Sequence, residues 1–282
     1  MMANTHGRLA LQFRAPALDG RTRLNVLDQQ PPLKVVRAFE QPDGAALVHL
    51  HNVSGGVLAG DQLETHVHVG RAARAQITST GATRIYRRGE QGNESTQRTC
   101  VQVEPGGLIE YVPDMLIPFA GSRYFQDTRI NLDEGAGLFW WEVIAPGREA
   151  HGELFAYERL EMKLAIHTCG TPVAAEHIRL EPRLRALATP LRMQHYNYYA
   201  TFYMLRVGCD VAVLEACLYD VVERLAPRPE ASWGVSALPA HGVAVRGLGQ
   251  TGQALLRGLN ALWHAGKQAL YGRAPCLPRK LY

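Results

Sequence analysis

The chain has 282 residues, of which 46% are hydrophobic and 20% charged, and a formal net charge of +4. That length can bury a substantial core, and the composition is that of an ordinary soluble globular protein. Five scattered cysteines without C-x-x-C spacing argue against a disulfide framework or a zinc knuckle and fit a reducing cytosol; an N-terminus without an apolar h-region, and no uncharged run near the ~20 residues of a membrane span, argue against secretion and insertion.

Residues 8–13 and 22–26 read as short strands separated by an Asp19-Gly20 turn, and Pro31-Pro32 fixes an extended approach to residues 33–39. Residues 47–53 alternate, with His49 and His51 opposite Val48 and Leu50. Residues 62–69 place His66, His68 and Glu64 opposite Leu63, Thr65 and Val67. Between them runs S-G-G-V-L-A-G-D (residues 54–61), whose three glycines permit positive φ or close backbone approach.

A loose internal similarity follows. V-H-V-G (67–70), V-Q-V-E-P-G (101–106) and I-N-L-D-E-G (130–135) each put two alternating aliphatic residues before a glycine turn, and each is followed by an apolar strand, at 75–80, 108–112 and 138–144. Recurrence about every thirty residues without a helical period suggests hairpins or coils stacked on one another.

Within the second of these strands Glu110 points the same way as Leu108 and Val112. A carboxylate there must find a partner, keep its proton or line a wet cavity. Pro113 and Pro118 bracket 114–117, which rules out a helix and argues against a central strand. The segment ends at a Gly121-Ser122-Arg123 turn, where Arg123 is placed to hold Asp114 or a partner's carboxylate.

Helical periodicity comes late. Asp210 is the predicted N-cap of a helix burying Leu214, Cys217, Leu218, Val221, Val222 and Leu225 and stopped by Pro227; residues 243–245 form a predicted strand. Thr251 caps a second helix with Leu255, Leu259, Leu262 and Trp263 on its buried stripe, ended by Gly272 and Pro275.

The chemistry-bearing patterns are sparse. Gly247-x-Gly249-x-x-Gly252 has the spacing of a dinucleotide turn, but no acidic residue follows about 20 positions on, and no second βαβ unit exists to complete it. Hydrolase, protease, zincin and P-loop spacings are missing, so enzymatic activity has no positive support. Past Glu230 the chain carries Arg246, Arg257, Lys267, Arg273, Arg279 and Lys280 without an acid. This supports an alternative reading as a basic nucleic-acid-binding module using the C-terminal helix. Arg84, Arg87 and Arg88 around Tyr86 make only a weak basic footprint.

Taken together, S-G-G-V-L-A-G-D (54–61), I-T-S-T-G-A-T-R-I-Y-R (77–87) and P-D-M-L-I-P-F-A-G-S-R-Y (113–124) closely resemble the urease accessory protein UreD family, also called UreH. Pro31-Pro32-Leu33-Lys34 and the ending L-x-x-L-x-x-A-G-K-x-x-L-Y-G-R-A-P-C-L-P-R fit as well, so the resemblance covers nearly the whole chain. It implies a mainly β fold, β-helix-like stacked sheets with two C-terminal α-helices. It further implies a single domain over 1–282, with the helical portion at about 210–272. The implied protein is not an enzyme but a cytoplasmic chaperone of urease maturation. It would bridge apo-urease to UreF and, through UreF, to the GTPase UreG, as a hetero-oligomer with UreF, and assist nickel insertion. Neither nucleic acid nor membrane is an expected partner. No tightly bound cofactor is expected, only transient nickel.

A conduit must hold its ion loosely, which suits carboxylates, carbonyls and water better than thiolates or clustered imidazoles. Asp61, Glu110, Asp114 and Glu142 are the expected nickel-passage residues. The H-x-H pairs His49/His51 and His66/His68 are the alternative metal ligands, since i and i+2 imidazoles project from one face of a strand.

Overall fold

Leu9, Leu11 and Phe13 alternate with Arg8, Ala10, Gln12 and Arg14 along the first strand, and the alternation decides where the chain goes: these three side chains are buried and those four are not. The computed structural model describes residues 5–16, 20–87, 93–226 and 228–278. Asp19 of the expected turn, Arg88, Pro227 and the terminal Arg279 and Lys280 lie outside them.

Two sheets and a helical layer result. In the seven-stranded sheet, His6–Arg14, Gln62–Val69, Ser95–Val103, Arg123–Leu132 and Arg159–Thr168 lie side by side and parallel. Antiparallel strands, Arg23–Gln30 and Thr171–Leu180, close its two edges. The eleven-stranded sheet has a parallel centre of Ala46–Asn52, Arg74–Ser79, Leu108–Tyr111 and Gly137–Ile144. It continues antiparallel through Tyr198–Arg206, Gly242–Gly249 and Ala231–Ala237. From Gln62 to Thr168 the chain passes back and forth between the sheets, each strand laid beside the one before it in its own sheet.

The loose repeat is this register. Leu11, Val67, Val101, Ile130 and Ile166 are successive partners across one sheet, and Ala75, Ile109 and Leu138 across the other. Both rows are buried in the core between the sheets. The glycine turns stack too: Ala72 N–H donates to Pro105 O at 3.1 Å and Gly106 N–H to Glu134 O at 2.9 Å. Gly106 and Gly135 have φ of 69° and 67°, a region that favours glycine.

Leu108–Tyr111 is apolar on both faces because both are covered. Ile109 and Tyr111 meet the inter-sheet core, while Leu108 and Val112 meet a second core under the helices. Helix α1 (Val211–Leu225) starts at Asp210, whose side chain accepts from Ala212 N and Val213 N. Helix α2 (Gly252–Tyr271) starts at Thr251, which accepts from Ala254 N, and ends at Gly272 in the left-handed region. Leu214, Leu218 and Val221 of α1, and Leu255, Leu259, Leu262 and Trp263 of α2, bury themselves against the eleven-stranded sheet. The expectation of a mainly β protein of stacked sheets with two helices holds.

Three local expectations change. Leu116–Pro118 is a three-residue strand pairing with Thr83–Ile85 and, through Leu116, with Ile144; Pro118 ends it, where its missing donor costs little. Arg123 turns to Glu158 (Nε to Oε2, 2.5 Å), not to Asp114. The glycines at 247 and 249 belong to a strand and the one at 252 opens α2. A Cβ on Gly247 would sit 2.5 Å from the Trp233 ring, and one on Gly252 2.5 Å from Met115, so the spacing serves close packing.

Candidate functional site

The strands of the two sheets bring polar side chains into the space between them. Glu142 shares the inward face of its strand with Trp140, while Trp141 and Val143 face the helices. Opposite, the seven-stranded sheet supplies Gln97, Tyr124, Gln126 and Thr128 in neighbouring registers. Gln126 Nε2 donates to Glu142 Oε1 in a short contact and lies 3.4 Å from Thr128 Oγ1. The Tyr124 hydroxyl lies 3.0 and 3.1 Å from the side-chain oxygens of Gln126 and Gln97, sharing one proton between two acceptors.

Asp114 joins this seam from the proline-bracketed segment. Its backbone N–H donates to Ser79 Oγ at 2.8 Å, and Ser79 Oγ in turn lies 3.3 Å from Asp114 Oδ2. Asp114 and Glu142 line one cavity of about 40 Å³, which has room for roughly two or three waters. A smaller cavity adjoins it, sharing Gln97 and Tyr111 and touching Trp140. The buried Trp140 Nε1–H has no hydrogen-bond partner among the described residues, the kind of donor that ordered water satisfies. Burial pushes the Glu142 carboxyl up to about 7, against the pull of Gln126 and with help from Glu176. A carboxylate pair with amide and hydroxyl oxygens is a hard, weak donor set for a divalent cation passing in its water shell.

The other expected residues lie elsewhere. Glu110 is sealed beneath α2. Its Oε1 is 2.6 Å from Lys267 Nζ, and its Oε2 accepts from Trp263 Nε1 at 2.8 Å. Burial raises its pKa while Lys267 opposes the shift. Asp61 is buried at the end of the glycine loop, where its Oδ2 accepts from Leu58 N at 2.9 Å; burial pushes its carboxyl up.

The two histidine pairs occupy opposite outer faces. Val48 points into the inter-sheet core, leaving His49 and His51 on the wall of a groove, where burial and the neighbouring His49 lower the pKa of His51. Val67 and Val69 point inward on the other sheet, so His66 and His68 face out, His68 against Glu104 at 2.9 Å. Among the described residues no group of three or more His, Cys, Asp or Glu side chains is placed to hold a metal ion. All five cysteines are free.

Among the described cations of the basic C-terminal run, Arg246 pairs with Glu176, Arg257 with Glu230, and Lys267 is 1% exposed against Glu110, so these three meet acids from elsewhere in the chain. Sequence reasoning missed Gln97, Tyr124 and Gln126. Only their shared inward register, alternating with surface residues, could have shown that polar groups occupy core positions there.

The molecule is thus a mainly β, layered protein whose convergent polar groups lie in a small interior seam. A family model described as UreD urease accessory protein matches residues 5–281. Urease accessory protein UreD of Herpetosiphon aurantiacus is 47% identical, covering 98% of this chain and 96% of that protein. The namesake of Halalkalibacterium halodurans is 34% identical over 71% of this chain and 73% of its own, and that of Deinococcus radiodurans 33% over 97% and 94%. The chain belongs to the UreD urease accessory protein family. No described helix is long and apolar enough to cross a membrane.

Proposed function

We propose that this protein acts in urease maturation as a non-catalytic chaperone. It binds apo-urease on one side and UreF on the other, reaches UreG through UreF, and gives nickel a route toward the urease site. The observation that carries the maturation role is the family match over residues 5–281. The nickel route is supported by the cavity that Asp114 and Glu142 share, because its oxygens can exchange for the ion's water ligands without trapping it. In this reading Asp114 and Glu142 touch the cargo, Gln126 orients Glu142, and Glu110 and Asp61 serve the fold away from the cavity. The cytosol fits five free thiols.

Co-expression with urease and its accessory proteins tests the reading. The wild-type chain should co-purify with UreF and apo-urease, and Asp114→Asn with Glu142→Gln should lower urease nickel at unchanged complex yield. A folded chain that retains neither partner would overturn the bridging role. Unchanged nickel in the double variant would remove the seam from the route.

A further inference from the structure

A second concavity, of about 860 Å³, lies at the edge strand Thr171–Leu180. Its floor is apolar: Ile178, Leu180 and Leu248 pack on the end core of the sheets and remain partly exposed. Its rim is cationic. Arg179 and Arg246 come from strands, and Arg185 and Arg192 from the loop after the edge strand.

Two carboxylates answer these four guanidinium groups. Glu181 holds Arg179 through contacts of 2.9 and 3.0 Å, and Glu176 holds Arg246 at 2.9 Å. Arg192 is oriented by a backbone carbonyl, donating to Ala186 O at 2.7 Å, which fixes the group without cancelling its charge. Arg185 is exposed, and its charge reaches Glu181. The same loop carries Leu184 and Leu191, 77% and 97% exposed.

We propose that this groove docks an acidic, leucine-bearing peptide segment of a partner protein. Its carboxylates would meet Arg185 and Arg192, and its apolar side chains would lie on the floor. Charge complementarity selects the occupant. Among the described residues four guanidinium groups face two carboxylates, Glu176 and Glu181, the latter shared by Arg179 and Arg185, and a guanidinium recognises a further carboxylate through paired N–H donors. An apolar floor makes no use of a purely ionic ligand, so apolar side chains such as leucine are part of the recognition. The inference stands on this groove alone and does not depend on the nickel route.

Fluorescence anisotropy with the full chain tests it, using a labelled peptide of alternating Glu and Leu residues. Wild type should bind it, and Arg185→Glu should weaken binding about tenfold or more. Arg98→Glu, an exposed reversal on the outer face of the seven-stranded sheet, should change binding less than about twofold while altering net charge equally. Thermal melts of both variants should match wild type, since neither side chain is buried.

Equal weakening by the two reversals would reduce the effect to net charge and overturn the proposal. So would equal affinity for a peptide with Ser in place of each Leu, or displacement of the peptide by duplex DNA at the same phosphate concentration. Self-association of the chain that is abolished by Arg185→Glu would assign the groove to a second copy and likewise overturn it.

Discussion

Lys267 Nζ lies 2.6 Å from Glu110 Oε1, a pair 157 positions apart in sequence that joins the C-terminal helix to the middle of the parallel sheet with both side chains buried. Trp263, one turn earlier on α2, donates to the other carboxylate oxygen. Asp43 adds a second acid 3.7 Å from the ammonium. The polar break on an otherwise apolar strand is therefore answered from the far end of the chain.

Removing one member of this pair should cost much more than removing both. Glu110→Gln leaves the buried Lys267 ammonium with only the more distant Asp43, and Lys267→Met removes the cation that Glu110 faces; each is expected to lower stability by about 3–5 kcal/mol. Glu110→Leu with Lys267→Met should recover most of the loss, because neither charge then needs solvating. Urea midpoints of the four proteins measure the coupling, and additive losses would show that the pair is not a unit. Any fall in urease nickel caused by Glu110→Gln alone should be accompanied by less folded chain.

Glu142 gives the fold a pH dependence of the opposite sense to a salt-bridged acid. Between the ordinary Glu range and about 7, the folded chain holds a proton that the unfolded chain has released, so this residue's contribution falls as pH rises through that window. Glu142→Gln removes the titration. Relative to wild type it should gain stability between about pH 5 and about pH 8, by at most about 3 kcal/mol and by less where cavity water screens the charge. A constant difference between the two proteins across that range would mean that Glu142 titrates normally.

Much of the architecture was legible in the sequence, and the limits are physical. Strand alternation separated the buried face at Val48 and Val67 from the histidine-bearing one and showed both faces of residues 108–112 to be mostly apolar, and the caps at Asp210 and Thr251 marked both helices. These signals are local, so a single stretch of chain carries them. The recurrence of V-x-V and I-x-L before glycine turns gave the stacking, since identical register repeats similar side chains. Nothing local announced Lys267, which reads as one more surface cation on a basic tail until the fold places it against Glu110. Likewise Asp114 and Glu142 share a cavity only because a proline-bracketed segment pairs with the end of strand Gly137–Ile144. The strands Arg159–Thr168, Thr171–Leu180 and Tyr198–Arg206 are not legible in the sequence; the edge strand's mixed burial gives its alternation a weak signal.

Trp233 fits between strand Gly242–Gly249 and α2 only because two glycines make room. A Cβ on Gly258 would lie 2.1 Å from its Cζ2 and one on Gly247 2.5 Å from its Cζ3. Alanine in mid-helix normally gains about 1 kcal/mol over glycine. Gly258→Ala should instead lose about 1–3 kcal/mol by forcing the indole or the helix aside. Placed in a Trp233→Leu background, the same substitution should lose less or turn favourable. Thermal melts distinguish these cases, and an equal loss in both backgrounds would remove Trp233 as the cause.

At Asp61 a structural role and a role in the proposed nickel route predict different outcomes. Its Oδ2 accepts the Leu58 N–H and closes the turn that follows Gly55 and Gly56; a Cβ on Gly56 would lie 2.5 Å from Arg84 O. Asp61→Asn keeps a side-chain oxygen for that amide and removes the charge, whereas Asp61→Ala strands the donor in a buried turn. The alanine variant should therefore lose about 1–2 kcal/mol and the asparagine variant a fraction of that. If Asp61 acts only through the turn, urease matured with Asp61→Asn should carry wild-type nickel, in contrast to urease matured with Asp114→Asn and Glu142→Gln. Loss of nickel with Asp61→Asn, in a chain that melts like wild type, would instead extend the route to the glycine loop, because the substitution changes the charge while leaving the turn's hydrogen bond in place.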